Sequence, residues 1–137
     1  MEPRLHLRAE DAADVPAFSA LVQDFLVKAG EVGFDSKGRR LVLLGNRFCW
    51  ETGAPRRART AILMSSLLMV QRRAWPEDPA AILELLAIDA AETEAGATLT
   101  LHFAGGPAIR ATAECIDLLL DDLSGHWPTP RTPGHDG

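Results

Sequence analysis

The stretch that decides the fold runs from Thr98 to Leu123, TLTLHFAGGPAIRATAECIDLLLDDL. At its start Leu99, Leu101 and Phe103 alternate with Thr98, Thr100 and His102. A period of two marks a strand with one face buried and one face wet. Ala104-Gly105-Gly106-Pro107 then supplies hairpin turn chemistry. Ala108 to Ala113 reads as the returning strand, with Ile109, Ala111 and Ala113 on one face. Beyond it the period changes. Ile116, Leu119, Leu120 and Leu123 recur at helical spacing, while Asp117, Asp121 and Asp122 fall on the other side. Ser124-Gly125 can end such a helix, glycine being suited to the left-handed cap. The segment therefore predicts an antiparallel hairpin followed by an amphipathic helix over 114–124. The leucine stripe of that helix must be buried against a sheet or into a barrel mouth.

Working outward, Leu5 to Arg8 alternates as a short strand, and Asp14 can cap a helix over 15–21 with Pro16 in its first turn. Val22 to Lys28 and Val32 to Phe34 read as strands, closed by the turn Asp35-Ser36-Lys37-Gly38. Arg40 to Trp50 is a stronger strand. Val42, Leu44, Asn46, Phe48 and Trp50 share one face; Leu41, Leu43, Arg47 and Cys49 share the other. Glu51 to Arg59 reads as a basic loop. Thr60 to Gln71 is apolar on both faces, which fits a central strand or a buried helix. Trp75 to Pro79 is a loop, and Ile82 to Asp89 fits either element. The order implies an α+β fold, mainly antiparallel β. It would be a bent sheet or partly open barrel of about seven strands with a C-terminal amphipathic helix, a pleckstrin-homology-like arrangement. Residues 1–127 are expected to form one domain, and 128–137, rich in proline and glycine, a disordered tail.

Composition bounds the function classes. The 137 residues are 47% hydrophobic and 24% charged, with a net charge of −5. A chain of this length can bury an adequate core without staples. The opening residues lack the apolar run of a secretory leader. The longest apolar stretch, Ala61 to Val70, is too short to span a bilayer. A cytoplasmic location and no membrane partner are the expectation. Cys49 and Cys115 read as free, buried and unbridged. His6, His102, His126, His135 and the two cysteines are scattered singly, so no metal site and no cofactor are expected.

Charge is unevenly distributed. Lys37 to Arg59 holds seven basic residues and one acid, whereas Pro76 to Asp122 holds ten acids and one base, Arg110. Two arrangements compete. Arg39, Arg40, Arg47 and Arg110 could converge with Asn46 on an anion through guanidinium forks, and Arg56, Arg57 and Arg59 could extend that surface. Alternatively the arginines pair with the acids of the second half, which is the favoured reading. Trp50, Trp75 and Trp127 are candidate interface aromatics or lids on the core edge. Cys115 beside Glu114 at a helix start, with His102 on a neighbouring strand, is the sharpest nucleophile arrangement. The favoured reading of that set is a core cysteine and a surface histidine.

Several segments carry a family resemblance. They are Leu21-Val22-Gln23-Asp24; Gly30-Glu31 with Phe34; Arg39-Arg40; Asn46-Arg47-Phe48-Cys49-Trp50-Glu51; Arg56-Arg57-Ala58-Arg59; Phe103-Ala104-Gly105-Gly106; Ile109-Arg110; Glu114-Cys115-Ile116; and Asp122-Leu123 with Trp127. On these the chain resembles domain of unknown function 2948, a bacterial family found mainly in alphaproteobacteria. Cys49 stands where the family commonly has Asp, and Pro107 where it commonly has a third Gly. The resemblance implies a cytoplasmic bacterial protein and transfers no activity.

With no catalytic motif in the chain, the expected function is a non-enzymatic interaction or regulatory module with a protein partner or a second copy of itself. A small-anion-binding protein or enzyme using the arginine cluster is the alternative, and an RNA-associated protein a weaker one. The acidic balance disfavours nucleic acid.

Overall fold

A computed structural model describes residues 4–130. The described chain runs β1 (His6–Ala9), α1 (Val15–Val22), β2 (Phe25–Asp35), β3 (Arg40–Phe48), β4 (Arg56–Met64), β5 (Leu67–Arg73), β6 (Ile82–Thr93), β7 (Gly96–Phe103), β8 (Ala108–Ala113), β9 (Leu118–Asp122) and β10 (Trp127–Pro128). All strand pairs are antiparallel, in the order β1-β9-β4-β3-β2-β6-β7-β8-β5, with β10 also beside β4. No helix of the described residues is long and apolar enough to cross a membrane.

One short connection dictates the shape. β4 and β5 stand six places apart in the sheet, about 29 Å if the sheet were flat. Only Ser65 and Ser66 join them, and the step from Met64 to Leu67 spans at most about 11 Å. The sheet must therefore roll, bringing its β5 edge back over β3 and β9. Backbone bonds record that return: Leu67 N–H to the Arg39 carbonyl at 3.0 Å, Ser65 N–H to the Asp117 carbonyl at 2.9 Å, and Glu114 N–H to the Ser66 carbonyl at 2.9 Å. Ser66 makes the corner at φ +62°. The roll stays open, since β1 and β5 end the strand order.

Its interior is filled by alternate residues: Leu41 and Leu43, Ile62 and Met64, Leu99 and Leu101, Leu118 and Leu120. Helix α1 lies against β6, inserting Phe18 and Val22 into this core, and Ser19 Oγ accepts the Ile88 N–H at 2.9 Å. Gly45 faces inward where a Cβ would collide with the Leu26 carbonyl and the Phe25 ring. Its missing side chain is what lets Phe25 into the core.

Two sequence expectations are corrected. The segment after Ala113 is not a helix: β9 lies between β1 and β4, with Leu118, Leu120 and Asp122 inward and Leu119 and Asp121 outward. Tertiary pairing on both sides outweighs the helical spacing of the leucines. With it goes the C-terminal helix on which the pleckstrin-homology-like arrangement rested. The coarser expectation, a mainly antiparallel and unclosed sheet, stands. Second, the run 60–71 is two strands, and Arg56, Arg57 and Arg59 belong to β4 rather than to a loop. The ambiguous 82–89 segment is strand throughout. The tail expected over 128–137 lies mostly outside the described residues, with 131–137 beyond them. Pro128 stands opposite Arg56, and Thr129 N–H donates to the Pro55 carbonyl at 2.9 Å.

The strand assignment of β9 makes a sharp expectation. Leu118→Ala and Leu120→Ala should each cost about 2–5 kcal/mol by chemical denaturation, because both side chains are fully buried. Leu119→Ala and Leu123→Ala should cost less than about 1 kcal/mol. A helix would instead make Leu119, Leu120 and Leu123 the costly set.

Candidate functional site

The most buried basic side chain in the described chain is Arg47, on the face of β3 that it shares with Leu41 and Leu43. Its guanidinium is 1% exposed. Arg47 Nε and Nη2 donate to both oxygens of Asp122, each at 2.8 Å, while Nη1 and Nη2 donate to Glu51 at 2.8 and 2.7 Å. Asp122 also accepts from the Thr60 hydroxyl at 2.7 Å and the Leu5 N–H at 2.8 Å. Two carboxylates and one guanidinium thus satisfy one another at the end of the rolled sheet, as buried charge requires. Burial alone would lower the Arg47 pKa, but the bonds from both carboxylates outweigh it and raise it. Burial would likewise raise that of Asp122; Arg47, Leu5 and Thr60 outweigh it and hold the carboxyl below its usual range. The Arg47 fork holds Glu51 down as well.

This arrangement removes Arg47 from any ligand-binding set. The other members of the expected cluster are spread over the surface. Arg39 reaches Glu114 at 2.6 Å and Arg40 approaches Asp35 at 3.7 Å, both at the β2–β3 turn. Arg56 donates through Nε to the His126 ring and through Nη2 to the His126 carbonyl at 2.9 Å. Arg57 covers Phe48 at 5.6 Å and donates to the Asp24 and Asn46 carbonyls. Arg59 and Asn46 stand side by side on the outer face of β4 and β3, bordering a shallow recess with Lys28. Arg110 is elsewhere, on the outer face of β8 between Gln71 and Thr100.

The aromatics are placed singly. Trp50 Nε1 donates to the Gln23 carbonyl at 2.8 Å, and its ring meets Phe48 edge-on at 4.5 Å. Trp75 meets Phe103 edge-on at 5.7 Å and carries the Arg72 guanidinium 5.2 Å above it. Trp127 is exposed on β10, opposite Arg57. The nucleophile set does not assemble: no helix begins at Cys115, Glu114 is held by Arg39, and His102 bonds Asp89 at 2.8 Å. Cys115 is exposed, against the expectation that both cysteines are buried; Cys49 is buried, and burial pushes its thiol up to about 11.

With the geometry in place, a family model described as protein of unknown function, DUF2948, matches residues 5–135. The chain belongs to the DUF2948 family. No curated protein and no solved structure matches it. The family match covers the Asn46–Glu51 run that carried the resemblance, and Arg47 and Glu51 of that run form the buried plug. In this DUF2948 member, then, the densest cluster of informative side chains holds strands together.

Sequence reasoning missed strand β5 as a feature in itself. It is the outer strand beyond β8, and Leu68 and Met69 on it are 52% and 51% exposed. The signal was present, since LLMVQRR ends in charge after an apolar start. Merging it with β4 into one central element hid the edge.

The plug predicts the acid behaviour. Asp122 and Glu51 have native pKa values below their unfolded ones. Their contribution is complete above the unfolded values, near 4, and is lost as pH falls through the native ones. The urea midpoint should hold from pH 7 to about 5 and fall below about 4. Asp122→Asn should lower stability at pH 7 by about 3–5 kcal/mol and flatten the acid limb. An acid limb of unchanged slope in the variant would contradict the assignment.

Proposed function

We propose that this chain is a non-catalytic interaction module of the bacterial cytoplasm, which takes up an extended segment of a partner protein beside β5. The observation that carries this reading is the edge strand β5, whose first residue bonds Arg39 but whose free edge is open from Leu68 to Arg73, with two large apolar side chains half exposed at one end. An open edge offers backbone donors and acceptors to an added strand, and flanking side chains select which strand is added. Leu68 and Met69 would meet apolar residues, and Arg72 and Arg73 would meet acids.

Pairing with a second copy fits this edge poorly. Antiparallel self-pairing about Val70 would set Arg72 opposite Leu68, Arg73 opposite Leu67 and Gln71 opposite Met69. Four guanidiniums would then be gathered at one interface with no acid from either strand. A partner segment that is apolar at one end and acidic at the other satisfies both ends of β5. The anion-binding alternative built on Arg39, Arg40, Arg47 and Arg110 loses its support, because those four side chains lie apart and three of them are engaged with acids.

A photo-crosslinking residue at Met69, with one at exposed Phe34 as control, tests the reading in native cells. The expected result is a discrete adduct from position 69 alone. Purified complex should then show slowed hydrogen exchange at the backbone amides of 68–73, and Leu68→Lys with Met69→Lys should abolish both while leaving the melting temperature near that of the parent. A complex whose β5 amides exchange as fast as in the free protein would refute the edge as the docking element.

A further inference from the structure

Most arginines described above are engaged by acids, carbonyls or a histidine. A different set is not. The outer face of β5, β8 and β7 carries a recess of about 390 Å³. Its floor is Ala108, the smallest side chain of its row, which stands between Arg73 on β5 and His102 on β7. Arg110 follows two residues along β8 and points to the same side. It is flanked in register by Gln71 and Thr100. The small residue between longer cationic ones is what creates the depression.

The charge of this recess is one-sided. Its lining contains no carboxylate, although the whole chain carries a net charge of −5. Arg72 also borders the recess, but it stands opposite inward-facing Ile109 and its guanidinium lies over Trp75, away from the outer face. Among the described residues neither Arg73 nor Arg110 has an acidic partner. His102 is fixed from the far side by Asp89, which does not itself line the recess. Two free guanidiniums, a hydroxyl and a primary amide converge here on a space sized for a small group.

We infer that the recess over Ala108 binds a tetrahedral oxyanion of the phosphate class. Guanidinium forks match the spacing and charge of phosphate oxygens, and hydroxyl and amide donors complete the shell. Such a group could arrive free, on a small phosphorylated molecule, or on a phosphorylated side chain. The inference shares Arg73 with the proposed docking edge but needs no backbone pairing at β5, so it is tested separately from strand addition.

The test is a nuclear magnetic resonance titration of the full chain at constant ionic strength maintained with sodium chloride. Inorganic phosphate is one probe; a short phosphoserine peptide and its unphosphorylated twin are the others. Phosphate should give saturable shifts centred on the Gln71, Thr100, Ala108 and Arg110 amides. Arg110→Gln and Arg73→Gln, both at exposed positions, should each weaken it by about tenfold or more, with the rest of the spectrum unchanged. Equal affinity for phosphate and the phosphopeptide assigns a free phosphorylated small molecule; markedly tighter binding of the phosphopeptide than of its twin and of phosphate assigns a modified protein. Absence of saturable shifts with both phosphorylated probes, or undiminished binding in the two variants, overturns the site. Either result leaves the β5 edge to be judged by its own exchange measurement.

Discussion

A guanidinium with almost no exposed surface must find all its acceptors inside the protein, and those around Arg47 come from one nearby residue, Glu51, and one distant residue, Asp122. Asp122 arrives on β9 and Glu51 from the turn after β3, while Thr60 on β4 and Leu5 ahead of β1 complete the shell of Asp122. Removing any one partner would strand charge in a dry place, which is far costlier than the net worth of the pair. The pair therefore acts chiefly as a register lock. Sliding β9 by one residue against β4 would turn Asp122 outward and leave Arg47 alone. That lock, together with the short Ser65-Ser66 corner, sets the alignment of the strands at both ends of β4.

The same lock explains how charge is apportioned. The arginine-rich and acid-rich halves of the chain meet at Arg39–Glu114 and Arg47–Asp122, one contact exposed and the other buried. Among the described residues, Arg73 and Arg110 stand without an acidic partner on the outer face of β5 and β8. An overall acidic protein thus presents a local field of opposite sign, which can attract anions even against the net charge.

Much of the sheet was legible because its strands obey simple alternation. Leu99, Leu101 and Phe103 were placed correctly from period alone, and Leu41, Leu43 and Arg47 were grouped on one face, though period did not say that this face is the buried one. The failures share a physical origin. In β9, Leu118, Leu119 and Leu120 are consecutive because Leu119 covers the outer face half-exposed, so no alternation survives. Asp122 breaks the pattern again by facing inward, where only a partner 75 residues away makes it tolerable. Local sequence holds no trace of that partner. The candidate anion site failed for the complementary reason. Arg73, His102 and Arg110 are brought together by register between three strands, and one of those strands had not been recognised as separate. Charge runs in sequence pointed to Lys37–Arg59, where neighbours in the fold already neutralise or cover much of the charge.

The pairing of His6 with Asp121 has a consequence for biosynthesis. A chain made from its N-terminus exposes β1 first, yet β1 has no strand to join until β9 has emerged. β5 waits likewise for residues 108–113, holding Leu67, Leu68 and Met69 uncovered meanwhile. Cooperative closure is thus deferred almost to the end of synthesis. Topologies dominated by such distant pairings fold slowly, and their nascent intermediates depend on chaperone protection. The arginines that close the β5 segment serve there in a second capacity, as charged gatekeepers beside an apolar strand that is translated well before its shelter exists.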